Sequence, residues 1–217
     1  MTNKNDKRPD KGREIAQAAL DRFNQKGFAA TSLEQIAAAA GIGKSTVYEY
    51  YRNKEELFVA AVLEASEQWV EGLSAIGQQT QDTVERLYRI ADFYLECGEP
   101  DSRDENRLFF EVLMQTIMEG GVFFKRRHLI RDIHRGMVRI IVDYLLAGVS
   151  RGELRPDIAR DAEKIAMNLL AYLDGIQLQR MIGDHHVDGR KQVQFFMNSL
   201  VPLLVPEETG EGADEAS

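Results

Sequence analysis

Thr31–Lys54 reads TSLEQIAAAAGIGKSTVYEYYRNK, and the rest of the chain is arranged around it. Thr31 followed three positions later by Glu34 fits a capping box, so a helix is expected to begin there. Leu33, Ile36, Ala37 and Ala40 recur at i, i+3, i+4 and i+7 and give that helix one apolar stripe. Gly41 stands where a left-handed C-terminal cap is needed, and Ile42-Gly43 completes a turn of about three residues. In the following segment only Val47 and Tyr51 share an apolar face. Lys44, Ser45, Thr46, Tyr48 and Tyr50 are left pointing outward. A helix whose free face is a cation, hydroxyls and phenols suits phosphates and base edges better than a core. The pattern is that of a helix-turn-helix.

Charge is distributed unevenly. The 217 residues carry a net charge of −8, which argues against nucleic acid, yet residues 1–54 hold ten Lys/Arg and six acids, a net of +4. The remainder, with 17 bases and 29 acids, is at −12. A cationic head therefore precedes an acidic body, and the head contains the helix pair. Apolar content of 44% and charged content of 29% are those of an ordinary globular protein. No apolar run is long enough for a membrane span, and nothing resembles a secretory signal, so a cytoplasmic protein is expected. The lone cysteine, Cys97, fits a reducing compartment and is read as a small helix residue.

The flanks continue the helical pattern. Residues 1–8 read as a basic arm along a phosphate backbone or as a frayed terminus. A first helix is expected from about Pro9 to Lys26, ended by Gly27, with Phe28 folding back onto a small core. Asn53 reads as the cap of a longer fourth helix, Glu56 lying three residues on. Further helices are expected at about 82–97, 104–119, 122–149 and 157–182, with a last one carrying Val193, Phe196, Met197 and Leu200. Pro202 should end or kink that last helix. Gly72–Gly77 is a candidate point of give near the end of the fourth helix. The fold class is all-α: a helix-turn-helix DNA-binding head at residues 1–54, a helical body at 55–206, and a disordered acidic tail at 207–217 with five acids and no base.

Other chemistries fit less well. Gly43-Lys44-Ser45 ends like a phosphate-binding P-loop, but the first glycine of that motif would fall at Ala38, and an alanine-rich helix precedes it in place of a strand. Asp184, His185, His186 and Asp188 share a glycine-flanked loop that reads as a solvated turn, without remote ligands to complete a metal site. Lys125, Arg126, Arg127, Arg131 and Arg135 form a second basic cluster around His128 and His134, read as a charged solvent face. No catalytic set, metal site or cofactor is expected.

Residues 31–58, preceded by the helix ending FNQKGF, closely resemble the tetracycline-repressor (TetR) family of bacterial transcription regulators. GELRPDIARDAEKIAMNLLAYLDGIQLQ, at 152–179, is similar to the C-terminal region of many such regulators. The resemblance implies a homodimer of nine-helix subunits, the last two helices of each forming an intersubunit bundle. It also implies a palindromic double-stranded operator as partner and a small-molecule effector in the body, most often releasing a repressor. By position, Ser32 would touch phosphate with Thr31 beside it. Lys44, Ser45 and Thr46 would face bases, and Tyr48, Tyr50 and Lys54 would reach phosphates. Glu49 should point away or accept from a cytosine amino group. Trp69, Phe93, Phe110 and Met114 are the candidate ligand contacts. Leu169, Tyr172, Leu173, Ile176, Phe196 and Leu200 are the candidate dimer contacts. The alternative is a helical sensing or interaction module without specific operator binding.

Overall fold

The computed structural model describes residues 7–96, 103–182 and 188–207. Residues 1–6 of the arm, Cys97, the loop with Asp184, His185 and His186, and tail residues 208–217 lie outside these. Among the described residues there are nine α-helices and no strand: α1 (Lys7–Ala30), α2 (Leu33–Ala39), α3 (Lys44–Tyr50), α4 (Lys54–Gln79), α5 (Thr83–Glu96), α6 (Arg103–Ile117), α7 (Arg127–Ser150), α8 (Ile158–Ile182) and α9 (Gly189–Leu204). A 3-10 turn, Phe124–Arg126, precedes α7. The all-α expectation holds. Pro202 sits inside the last turn of α9, which ends two residues later at Leu204.

Packing divides the chain into two compact units, Met1–Leu73 with Glu96–Met137 and Ser74–Leu95 with Val138–Ser217, a division different from that at 54/55. In the first unit Ile15, Ala19 and Phe23 of α1, Ile36 of α2, Val47 of α3 and Leu57, Phe58 and Ala61 of α4 make one buried cluster, joined by Phe123. Phe28 does fold back: its ring lies 5.8 Å from that of Phe23 and 4.8 Å from that of Phe58. The reversal occurs at Gly27, whose φ of 78° belongs to the left-handed region that other residues avoid. Helix α6 lies along α1, and Arg107 donates to the Gln25 carbonyl at 3.2 Å.

In the second unit α5, α7, α8 and α9 bury Leu87, Ile90, Ile141, Leu145, Leu170 and Met197. The Tyr144 hydroxyl accepts from the Gly77 amide at 3.0 Å and donates to the Ser74 carbonyl at 3.1 Å. A Cβ at Gly77 would come within 2.6 Å of that oxygen, so this glycine serves close approach within a continuous helix; the expected point of give is instead a docking point. Asp188 is the N-cap of α9, accepting from the Lys191 amide at 3.1 Å.

Candidate DNA-reading surface

The start of α2 differs from the expectation by one residue. Ser32 is the cap: its hydroxyl accepts from the Gln35 amide at 3.3 Å, and the Gln35 side chain accepts from the Ser32 amide at 3.1 Å. Thr31 is 2% exposed and turns inward, donating to the Gly27 carbonyl at 2.8 Å with the Arg22 carbonyl at 3.2 Å. It therefore closes the end of α1 and is not placed to touch DNA. The Gly27 carbonyl needs a donor because the helix breaks at Gly27 and the Thr31 amide bonds the Phe28 carbonyl instead. The cap of α4 is as read, with Asn53 Oδ1 accepting from the Glu56 amide at 2.8 Å.

Helix α3 is held by a single fully buried side chain, Val47, and by the Tyr51 hydroxyl donating to the Gly12 carbonyl at 2.9 Å. Gly41, at φ 64°, makes the expected left-handed turn before it. Lys44, Ser45 and Glu49 are exposed and Tyr48 is 49% exposed, whereas Thr46 is half-buried and Tyr50 is half-buried against the head core. Lys44 bonds Glu34 of α2 and lies 5.7 Å from the centre of the Tyr48 ring. That bond from Lys44 is the main reason the Glu34 carboxyl is held down at about 2, and it raises the ammonium in turn. Both side chains are open to solvent, so the pair orients Lys44 more than it stabilises the fold.

Lys54 occupies a position that its spacing did not reveal. Its ammonium donates to the carbonyls of Phe28 at 2.9 Å and Thr31 at 3.0 Å, with that of Ala29 at 3.5 Å, and it sits 4.4 Å above the Phe28 ring. It thereby ties α4 to the end of α1, immediately beside Ser32. The surface is thus continuous from Lys54 through Ser32 and Glu34 to Lys44 and Tyr48. It consists of cations and hydroxyls, with the Glu34 carboxylate between them, carried by α2, α3 and the first turn of α4. Such a surface can grip a phosphate chain and present side chains to a groove.

Two matches identify the chain. Residues 15–61 match the model for bacterial regulatory proteins of the tetR family, and residues 83–205 match the C-terminal model of the BetI-type transcriptional repressors. The chain belongs to the TetR family. It is a helix-turn-helix transcription regulator. Among its relatives is the regulator TtgR of Pseudomonas putida, 25% identical over 196 residues that cover 88% of this chain and 90% of TtgR. A transcriptional regulator from Saccharomonospora viridis, solved in complex with choline, shares the fold at a TM-score of 0.74 and 20% identity, over 91% of this chain and 99% of that one. FadR of Bacillus subtilis, solved in complex with stearoyl-CoA, does so at 0.69 and 21%, over 88% and 98%.

Part of the expected dimer surface is placed differently. Leu169, Leu173 and Ile176 are buried in the second unit's own core and cannot also face a second subunit. Tyr172 and Phe196 are half-buried and stack on each other at 3.9 Å with planes 12° apart, and Leu200 is half-buried. The exposed apolar side chains of these helices are Met167, Leu178, Met181 and Ile182 on α8 and Phe195 and Leu203 on α9, with Ile182 at 75% and Phe195 at 72%. On α8, Met167, Leu178 and Ile182 follow i, i+11 and i+15, with exposed Ala171 and half-buried Asp174 between. They form one stripe. Of the ligand candidates, Trp69, Phe110 and Met114 belong to the first unit and Phe93 to the second. None of the four lines either of two open surface clefts of about 310 and 370 Å³, the larger bounded by Leu63, Ser66, Glu67, Val70, Glu71 and Ile133. No helix among the described residues is long and apolar enough to cross a membrane.

Proposed function

We propose that this TetR-family regulator is a cytoplasmic repressor that binds a palindromic operator as a homodimer and is released by a small molecule. Residues 1–54 read the operator, residues 55–206 take the effector and the second subunit, and the acidic tail follows. The observation that carries the reading is α3 itself: one buried anchor, Val47, beneath a free face of Lys44, Ser45 and Tyr48. Lys44, Ser45 and Thr46 face base edges, and Ser32, Tyr48, Tyr50 and Lys54 face phosphates. The Ser32 hydroxyl can still donate its proton to phosphate while accepting from Gln35.

Dimerisation uses the exposed α8–α9 stripe, Met167, Leu178, Met181, Ile182, Phe195 and Leu203, which is too apolar to leave against water. Two recognition helices then meet major grooves about 34–36 Å apart. An effector loosens this grip only through its differential affinity for the bound and released forms. Support for a small-molecule effector comes from the structural neighbours solved with choline and with stearoyl-CoA, two ligands of different size and charge. Incubation of the pure protein with random duplex DNA, followed by sequencing of the retained fraction, tests the reading. An enriched palindrome is expected, and the absence of enrichment would assign the chain to sensing without operator binding.

A further inference from the structure

The helix-turn-helix leaves one cationic segment unused. Residues 120–137 contain Lys125, Arg126, Arg127, Arg131 and Arg135 against a single acid, Asp132, a net of +4. Residues 55–119 before it hold four bases and 15 acids, and residues 138–217 after it hold eight bases and 13 acids. The acidic body thus has one positive island, as strong as the whole head.

The island belongs to the same compact unit as the head. Phe123 anchors it: the side chain is fully buried in the head's core cluster, with its ring 5.7 Å from that of Phe58 in the first turns of α4. The turn that delivers it is fixed by the Gln115 carbonyl and side chain, which accept from the Phe123 amide at 3.1 Å and the Val122 amide at 2.9 Å. Arg127 is stiffened in turn, lying 4.2 Å over the Phe124 ring and donating to the Thr116 carbonyl at 3.1 Å. Lys125, Arg126, Arg127, Arg131 and Arg135 are all exposed. Arg127, Arg131 and Arg135 follow i, i+4 and i+8, a ridge about 12 Å long on one helix face. Asp132 lies 4.0 Å from Arg131 and 3.8 Å from Arg135, so a single carboxylate is shared loosely by two guanidiniums.

The neighbour across the turn is the N-terminal turn of α4. The Glu56 carboxylate there, held below its ordinary range chiefly by its bond from Arg52, also feels the charge of Arg126. Glu56 is two residues from Lys54, at the edge of the surface already described. The geometry points to Lys125 and Arg126, backed by the Arg127–Arg131–Arg135 ridge, as a second phosphate-contacting surface that grips the operator's sugar-phosphate backbone outside the helix-turn-helix. DNA is the partner these side chains fit: they lie in the same compact unit as the reading head, they are open, and as a run of cationic donors they match the closely spaced acceptors of a phosphate chain.

This inference rests on the operator-binding reading, and the experiment separates the two. Affinity of the full-length protein for its selected duplex is measured by fluorescence anisotropy across a KCl series. The variants are the double substitution Lys125→Ala with Arg126→Ala, the same pair to Gln, and Lys44→Ala, each first shown to melt like the parent. Each lost phosphate contact lowers the salt slope by about 0.9, so both double variants should lower it by up to about 1.8 while the selected sequence stays the same. If the parent binds and Lys44→Ala weakens it, but both double variants keep the parental slope, the second surface is overturned and the operator reading stands. A changed sequence preference would likewise overturn a backbone role. If the parent binds no duplex, both readings fall together.

Discussion

Lys54→Met separates two roles that one ammonium group could play. The substitution keeps the aliphatic stem against Phe28 and removes the charge, taking the ammonium donor, at 2.9 and 3.0 Å, from the Phe28 and Thr31 carbonyls and leaving Phe28 only the long bond from the Thr31 amide at 3.4 Å. Hydrogen bonds to a charged group contribute about 1.5–3 kcal/mol, and these carbonyls are only partly buried, so water recovers a share and about 1.5–2 kcal/mol is lost. The cation above the Phe28 ring at 4.4 Å adds about 0.5–1 kcal/mol. A total of about 2–3 kcal/mol lowers the melting midpoint of a chain this long by about 4–12 °C. Thermal unfolding followed by circular dichroism reads the first role, and the salt dependence of operator binding reads the second. The ammonium has three donors and makes two short bonds to the end of α1, so a phosphate contact takes the donor nearest the Ala29 carbonyl and shares the group with the α1–α4 tie. An unchanged midpoint with a salt slope lower by about 0.9 would refute the structural tie and leave a simple phosphate lysine.

Three further outcomes are expected. Thr31→Val should lower stability by about 1–3 kcal/mol, because the buried Gly27 carbonyl loses its donor, and should leave the salt slope unchanged; a lower slope at full stability would return Thr31 to the DNA surface. Phe195→Asp should give monomers in sedimentation at unchanged helicity, whereas Leu173→Ala should cost about 2–5 kcal/mol of folding stability; dimers persisting in Phe195→Asp would move the interface off the α8–α9 stripe. Asp174, between Ala171 and Leu178, has its carboxyl pushed up to about 6 by burial. A raised acid holds its proton more tightly when folded, so its contribution is most favourable below the unfolded value near 3.8 and declines until about 6. Asp174→Asn should therefore be more stable than the parent at pH 7, with the gap opening between pH 4 and 6; parallel midpoint-versus-pH curves would sink the assignment.

Where local spacing is the cause, the chain could be read directly. Leu33, Ile36 and Ala37 share a stripe because a helix turns every 3.6 residues, Gly41 is required because φ is positive there, and Asn53 caps because its own side chain reaches Glu56. The cationic head on an acidic body was equally plain, since charge is a count. The cap of α2 falls at Ser32 and not at Thr31 for a reason outside the local pattern. Thr31 and Ser32 are chemically equal candidates, and the one that turned inward did so to satisfy carbonyls freed by the break at Gly27.

Helix α8 shows the same limit on a larger scale. Leu169, Leu173 and Ile176 form one apolar face and Met167, Leu178 and Ile182 another, and periodicity alone ranks neither as the inner one. Folding of the second unit covers the first and leaves the second bare. Lys54 belongs here too: at the start of α4 it is a cation near DNA by spacing, yet a helix 26 residues earlier in the chain supplies its partners. Helices, their caps and the charge of the head follow from neighbours within about one turn, which the order of residues contains. Which stripe is buried, which hydroxyl turns inward and what an ammonium holds depend on groups brought together by folding, and those partnerships exist only once the helices have packed.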